Sequence, residues 1–321
     1  MRPQFSIVII THNRFPWLKF AVESALNQTL PCEVVIIDHG SDDKTHKFIQ
    51  GLGNRVVYRR NFVNRGRAAA VNLGVHLARG NWIKWLDDDD RLGPQCIETL
   101  AQAIAPFPEA VIVSCQATQV DQHHQELGQT PIVGEGGAGT VHQVLQEDIH
   151  FQMLFDRLAL GSTAQIAVRK DAFLCAGGWD TNLSNRSCEA LESWIRIAQY
   201  GDAIFVNQPL SYITCWPGNR SQRLCPQEQQ QAQLALKQKL YGLVHPKYQH
   251  QSRHHNLPLA QQMAIEYYHL ATNAACSTSE SRRHEILGLA QLNTKLGTWI
   301  NEIEAGLQSL HGQKKLVGLG H

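Results

Sequence analysis

Long apolar runs are missing from this chain: nothing in its 321 residues approaches the roughly 20 consecutive apolar positions that cross a bilayer. Paired cysteines are missing too, since none of the eight stands in a CxxC spacing, which argues against structural zinc. Scattered over positions 32, 96, 115, 175, 188, 215, 225 and 276, they read as reduced, mostly buried residues of a cytosolic protein. Excess charge of one sign is absent, the net being +1, so nucleic acid is not expected as the main partner. The opening Met1-Arg2-Pro3-Gln4 lacks a signal-peptide pattern and runs straight into a strand-like segment, so a cytoplasmic location is expected. No convincing amphipathic anchor is legible, and weak peripheral docking at a membrane stays open. No GxGxxG follows the first strand, which argues against a nicotinamide-dependent dehydrogenase.

What is present is the composition of a globular protein, 43% hydrophobic and 18% charged, in a chain longer than one ordinary domain. Its organising stretch is residues 81–90, where Asn81-Trp82-Ile83-Lys84-Trp85-Leu86 leads into Asp87-Asp88-Asp89-Asp90. Four adjacent carboxylates repel one another, and a hard divalent ion such as Mg²⁺ or Mn²⁺ would reward their placement at a strand end. If the extended conformation continues, Asp87 and Asp89 share one face and Asp88 and Asp90 the other. The plainer alternative is a solvated acidic turn with Asp90 capping a helix that starts near Pro94.

Around this stretch the first 115 residues alternate strand-like and helix-like segments. Phe5 to Ile10 and Glu33 to Asp38 are β-branched runs suited to strands buried on both faces. Leu18, Ala21, Val22, Ala25 and Leu26 form one apolar helical face, Ser41 is a candidate helix cap, and Gly80 a candidate helix end. Further strands are expected over 55–59, 110–115, 203–206 and 211–214, a loop over 119–139, and a helix over 189–200. The fold class is therefore α/β with a mostly parallel central sheet covered by helices. Its ligands belong beyond the carboxyl ends of the strands, where residues 11–14, 38–41 and 87–90 converge. A domain of residues 1–217 is expected, followed by a helical extension over 218–321 with helices near 227–243, 259–275 and 283–310.

Five separated segments carry a resemblance that covers roughly residues 5–215. They are Ser6 to Arg14, Glu23 to Thr29, Asp38-His39-Gly40-Ser41-Asp42-Asp43, the spaced set Asn64, Gly66, Ala70, Asn72 and Gly74, and Leu86 to Asp90. In this order they resemble the inverting family 2 glycosyltransferases of the GT-A fold. The resemblance implies a nucleotide-sugar donor, a divalent cofactor (Mn²⁺ or Mg²⁺), and a hydroxyl-bearing glycan or glycoconjugate acceptor in polysaccharide or glycoconjugate synthesis. It places the metal on Asp87 and Asp89, and the nucleotide against Thr11, His12, Asn13, Arg14, Asp38, His39, Arg67, Asn72, Asp87 and Asp88. Oligomeric state is not legible. A sugar nucleotidyltransferase fits less well, because the loop after the first strand has no glycine.

Three positions depart from the family pattern. His39 stands where an aspartate usually reads the nucleobase, and Val71 where an arginine usually stands, with Arg67 one turn earlier as a substitute cation. In the run from Glu189 to Gly201 the expected general base falls on Ala190. Glu189 and Glu192 are then the candidate catalytic carboxylates, against the alternative that both only complement a helix N-terminus. The departures keep a second reading in view, that of a catalytically impaired nucleotide-sugar-binding relative.

Overall fold

The computed structural model describes residues 4–63, 65–183, 188–216, 226–250, 259–272, 277–291 and 293–317. They divide into two units, one of residues 1–149 and 156–224, the other of residues 150–155 and 225–321. The boundary expected at 217/218 lies outside the described residues.

The first unit begins with β1 (Phe5–Thr11), α1 (Phe15–Leu26), β2 (Glu33–Asp38), α2 (Thr45–Gly51), β3 (Val57–Arg60), α3 (Arg67–Leu77) and β4 (Trp82–Asp87). It continues through β5 (Arg91–Leu92), α4 (Cys96–Ile104), β6 (Ala110–Val120), β7 (Glu126–Gln129), β8 (Val141–Val144) and α5 (Gln146–Leu154), whose last residues belong to the second unit. β9 (Ile166–Arg169), α6 (Lys170–Cys175), α7 (Glu189–Ile197) and β10 (Asp202–Thr214) complete it.

Among the described residues the strands form one sheet in the order β3-β2-β1-β4-β9-β6-β10-β5, with β7 on β6 and β8 on β10. The β3-β2-β1-β4 half is parallel, as is β6 with β10. β9 enters antiparallel between β4 and β6, and β5 pairs antiparallel with β10. The sheet is thus mixed, with β1, β2, β3, β4, β6 and β10 running one way and β5, β7, β8 and β9 the other. β1 and β2 are buried on both faces because α1 and α3 flank them, which is why their sequence shows no alternation. α1 buries Leu18, Ala21, Val22 and Ala25, the predicted face.

Several local expectations are corrected. The segments 203–206 and 211–214 are one strand, β10, which crosses Pro209 with register shifts against β6. A proline removes one ladder donor, and the shift accommodates it. Residues 119–129 are not a loop, because β6 continues to Val120 and turns back as β7. Ser41 caps no helix: its hydroxyl donates to Asp38 Oδ1 (2.7 Å), and α2 starts four residues later. α3 ends at Leu77. Gly80 serves a close approach instead, since a Cβ there would stand 2.6 Å from the Ser6 amide nitrogen.

The second unit contains α8 (Pro226–Leu243), α9 (Pro246–His250), α10 (Leu259–Thr272), α11 (Ser277–Ala290) and α12 (Thr294–Val317). The single helix expected over 283–310 is two, because the Asn293 side chain accepts the Leu296 amide (3.0 Å) and starts a new one. Met263, Tyr267, Ile286, Leu289, Leu296 and Ile300 form its buried core. Arg282 ties it together, donating to Glu266 (2.9 Å), Glu285 (2.8 Å) and the Leu154 carbonyl (2.7 Å). No described helix is long and apolar enough to cross a membrane.

Candidate active site

The carboxyl ends of β1, β2 and β4 bring three polar loops together, as parallel strands do when their crossovers are right-handed and their ends align. β4 stops at Asp87, and the Asp90 amide donates to the Asp87 carbonyl (3.1 Å), closing a turn. This turn overrides the strand alternation expected for the aspartates. Asp88 and Asp89 both face Arg14, whose Nη1 lies 3.6 Å from Asp88 Oδ1 and 2.6 Å from Asp89 Oδ2. Asp87 is ion-paired with Arg67. Asp90 is buried and caps no helix; its Oδ1 accepts the Thr214 amide (2.9 Å) and fastens the turn to the end of β10.

Four carboxylates here meet two guanidinium groups, which leaves an excess of negative charge. Burial pushes Asp88 up to about 7, against the pull of Arg14 and with the push of Asp89. Burial, then Asp87 and Asp89, hold Asp90 well above the usual carboxylate range. Such a surplus favours a cation. Among the described residues no three His, Cys, Asp or Glu side chains are gathered as a ready-made metal cage. A hard ion that takes one or two carboxylates, with phosphate and water for the rest, needs no such cage, so the donor set fits Mg²⁺ or Mn²⁺.

The loops after β1 and β2 interlock. Asn13, at φ 53°, accepts the Asp42 amide on Oδ1 (2.8 Å), and its own amide donates to Ser41 Oγ (3.0 Å). Asp38 is fully buried and its carboxylate is already engaged, by the Ser41 amide (2.8 Å) and hydroxyl and by the Tyr58 hydroxyl (2.8 Å). Thr11 is buried at the end of β1, while His12 beside it is exposed. The open group is His39. It is 6% exposed, and neither ring nitrogen has a hydrogen-bond partner. Burial and the neighbouring His12 lower its pKa against the pull of Asp38, so the ring is neutral at neutral pH, with one donor and one acceptor.

Behind β4 lies a tryptophan cluster. Trp85 packs on Trp194 (4.8 Å between centroids) and Trp179 (6.5 Å), and Arg67 sits 5.4 Å over the Trp179 ring. Asn72, expected at the nucleotide, is engaged with this cluster. Its amide accepts the Trp179 N–H (2.8 Å) and donates to the Trp179 carbonyl (2.9 Å), so it pins that turn. Val71 is buried, and Arg67, one turn earlier on α3, is ion-paired with Asp87.

The two candidate bases separate. Glu192 is bidentate on Arg196 (2.7–3.1 Å), which also donates to the carbonyls of Ala176 and Gly178. It is a clamp between α7 and the 176–178 turn, with its carboxylate committed to Arg196. Glu189, at the start of α7, is 2% exposed and close enough to Arg67 to act on its charge. Trp216 escaped the sequence reading: its Nε1 donates to Asp89 Oδ2 (3.0 Å) and its ring lies 5.1 Å from the Arg14 guanidinium. The two partners are 127 positions apart, so no local pattern could pair them.

A sheet of this order with a carboxylate-rich turn beyond β4 defines a GT-A-type site, and comparison with known proteins agrees. The fold matches S. aureus TarS, solved with UDP-GlcNAc, at a TM-score of 0.59 and 14% identity over 95% of this chain and 92% of that one. An uncharacterized glycosyltransferase of Haemophilus influenzae is 27% identical over 212 residues, 65% of this chain and 67% of that protein. The glucosyl-dolichyl phosphate glucuronosyltransferase of Haloferax volcanii is 28% identical over 220 residues, 63% and 66% of the two chains. A Rickettsia typhi glycosyltransferase, also uncharacterized, is matched over 40% of its length at 31% identity. Residues 6–175 match glycosyl transferase family 2, and the chain belongs to that family. Its enzyme class is that of a glycosyltransferase.

Proposed function

We propose that this chain moves a sugar from a nucleotide-sugar donor to a hydroxyl of a glycan or glycoconjugate, with inversion, in the cytoplasm. The observation that carries this reading is the Asp87-Asp88-Asp89 turn, crowded with carboxylates and flanked by Arg14 and Arg67 at the carboxyl ends of the strands. Asp87 and Asp89 would hold the Mn²⁺ or Mg²⁺. The ion, when bound, neutralises charge on the leaving diphosphate. S. aureus TarS with UDP-GlcNAc and GalNAc-T7 with UDP and Mn²⁺ share the fold, which supports a pocket of this kind.

The chain's own residues divide the work. Arg14 and Arg67, today paired with aspartates, are placed to turn toward phosphate oxygens as negative charge develops there. Thr11, His12 and Asn13 line the pocket, and neutral His39 offers one donor and one acceptor to a base edge. A buried imidazole without partners costs about 1–3 kcal/mol, a cost a bound base would remove. Asp88 would face the ribose and the metal. Glu189 takes the proton from the attacking hydroxyl.

Calorimetric titration of nucleoside diphosphates, each with and without Mn²⁺, tests the donor site without knowledge of the acceptor. One nucleotide is expected to bind in a metal-dependent way, and Asp89→Ala to abolish that binding. Equal nucleotide affinity with and without metal would remove the metal assignment. Absence of any nucleotide binding would remove the transfer reading.

A further inference from the structure

The chain's near-neutral charge hides one strongly asymmetric region. From Lys44 to Leu86 there is no aspartate or glutamate, while Lys44, Lys47, Arg55, Arg59, Arg60, Arg65, Arg67, Arg79 and Lys84 are all basic. Four of these have internal duties: Arg60 donates to the Ser41 carbonyl (2.6 Å), Arg67 pairs with Asp87, Arg79 with Glu33, and Lys84 is buried. The other five, Lys44, Lys47, Arg55, Arg59 and Arg65, are exposed. They lie at the start of α2 and on it, in the 3-10 turn before β3, on β3 and in the loop after it, and the His46 ring, 3.1 Å from the Tyr58 hydroxyl, ties α2 to β3. β3 is the edge strand of the sheet. The acidic residues nearest in sequence are Asp42 and Asp43, of which Asp43 accepts the Phe15 and Thr45 amides.

At the tip of this basic edge stand two apolar side chains. Phe62 is 87% exposed and Val63 66%, the most exposed large hydrophobic residues described. Their loop is held in place: the Asn61 amide donates to the Asp38 carbonyl (2.8 Å), and the Asn61 carbonyl lies so close to Gly40 that a Cβ there would come within 2.8 Å. The Arg60 guanidinium sits 5.6 Å from the Phe62 ring. Protection of an edge strand explains Arg59, because a charge there discourages pairing with another chain. It does not explain two presented apolar residues or the cations on α2.

We infer that this edge docks on an anionic lipid bilayer, with Phe62 and Val63 entering the interface and Lys44, Lys47, Arg55, Arg59 and Arg65 lying against the head groups. Apolar tips gain from leaving water, and lysine and arginine near an anionic leaflet are each drawn to it. A polyanionic polymer would use the cations but has no place for Val63. Because the loop abuts Asp38 and Gly40, docking would bring the nucleotide loops to the bilayer surface. The inference stands apart from sugar transfer, since vesicle binding is read without donor or metal.

The test is co-sedimentation of the full chain with vesicles of phosphatidylcholine alone or with about 30% phosphatidylglycerol. Partitioning onto the anionic vesicles is expected to exceed that onto neutral ones by roughly ten-fold or more. Arg59→Gln with Arg65→Gln should lower it about 25-fold, at roughly five-fold per basic residue. Phe62→Ser with Val63→Ser should lower it too and make the remainder wholly salt-sensitive. Phe62→Trp should add a blue-shifted emission component on anionic vesicles only. All four positions are exposed, so unchanged thermal unfolding serves as the folding control. Failure of the wild-type chain to sediment overturns the inference. So does binding that survives both double variants. Loss only in the arginine variant, with no blue shift in Phe62→Trp, also overturns it and points to a soluble polyanion.

Discussion

Glu189 and Glu192 lie three residues apart on one helix, and the structure predicts opposite consequences for removing each charge. Glu192 makes three contacts of 2.7–3.1 Å with Arg196 and is 5% exposed. Breaking one partner out of a buried pair costs about 3–5 kcal/mol, chiefly because the other charge is left behind. Arg196 keeps its bonds to the Ala176 and Gly178 carbonyls, so Glu192→Gln should fall at the low end, about 3 kcal/mol. For a unit of this size each kcal/mol moves the unfolding midpoint by roughly 2–4 °C, giving a drop of about 6–12 °C. Glu189→Gln keeps the side chain's shape, and its effect is read in turnover. Its turnover should fall by about 10²–10⁴, the usual contribution of a general base, with nucleotide affinity retained. Thermal unfolding, calorimetry and single-turnover transfer to any acceptor the wild-type enzyme uses would measure all three quantities. Full turnover in Glu189→Gln would refute the base assignment. A wild-type midpoint in Glu192→Gln would refute the clamp.

His39→Ala should weaken nucleotide binding by roughly 3–10-fold, the worth of one neutral hydrogen bond or slightly more. Without ligand the variant should be no less stable, because a buried ring without partners is removed; calorimetry and thermal unfolding read the two effects separately. Glu33 gives a pH dependence. Burial raises its carboxyl, but the Arg79 amide (2.7 Å), the Ser6 hydroxyl and the Arg79 guanidinium (2.7 Å) outweigh that and hold it below its ordinary 4.5. A depressed carboxyl stabilises above its unfolded pKa, and the stabilisation is lost as pH falls from 4.5 through the folded value. Denaturant midpoints should therefore drop more steeply below that pH in the wild type than in Glu33→Gln, and parallel curves would refute the linkage.

Much of the architecture was legible in local patterns. The β-branched runs of β1 and β2, the apolar face of α1 and the acid run beyond β4 are set by periods of two and 3.6 residues and by like-charge crowding, which act over a few positions. These suffice to name the fold class and to bring Thr11, Asn13, Arg14, Asp38 and the aspartates to one end of the sheet. What they leave undecided is which side chain meets which. Arg14 finds Asp89 across 75 positions, Trp216 finds the same carboxylate across 127, and Asn72 is spent on a turn 107 residues later. Hydrogen bonds and ion pairs act over about 3 Å, so they exist only once packing has brought distant segments together. The sequence alone therefore determined that two glutamates near Ala190 were candidates. Only the tertiary structure decided that Glu192 is bound to Arg196 and that Glu189 lies within the field of Arg67, because packing alone placed one carboxylate against a clamp and the other against the site.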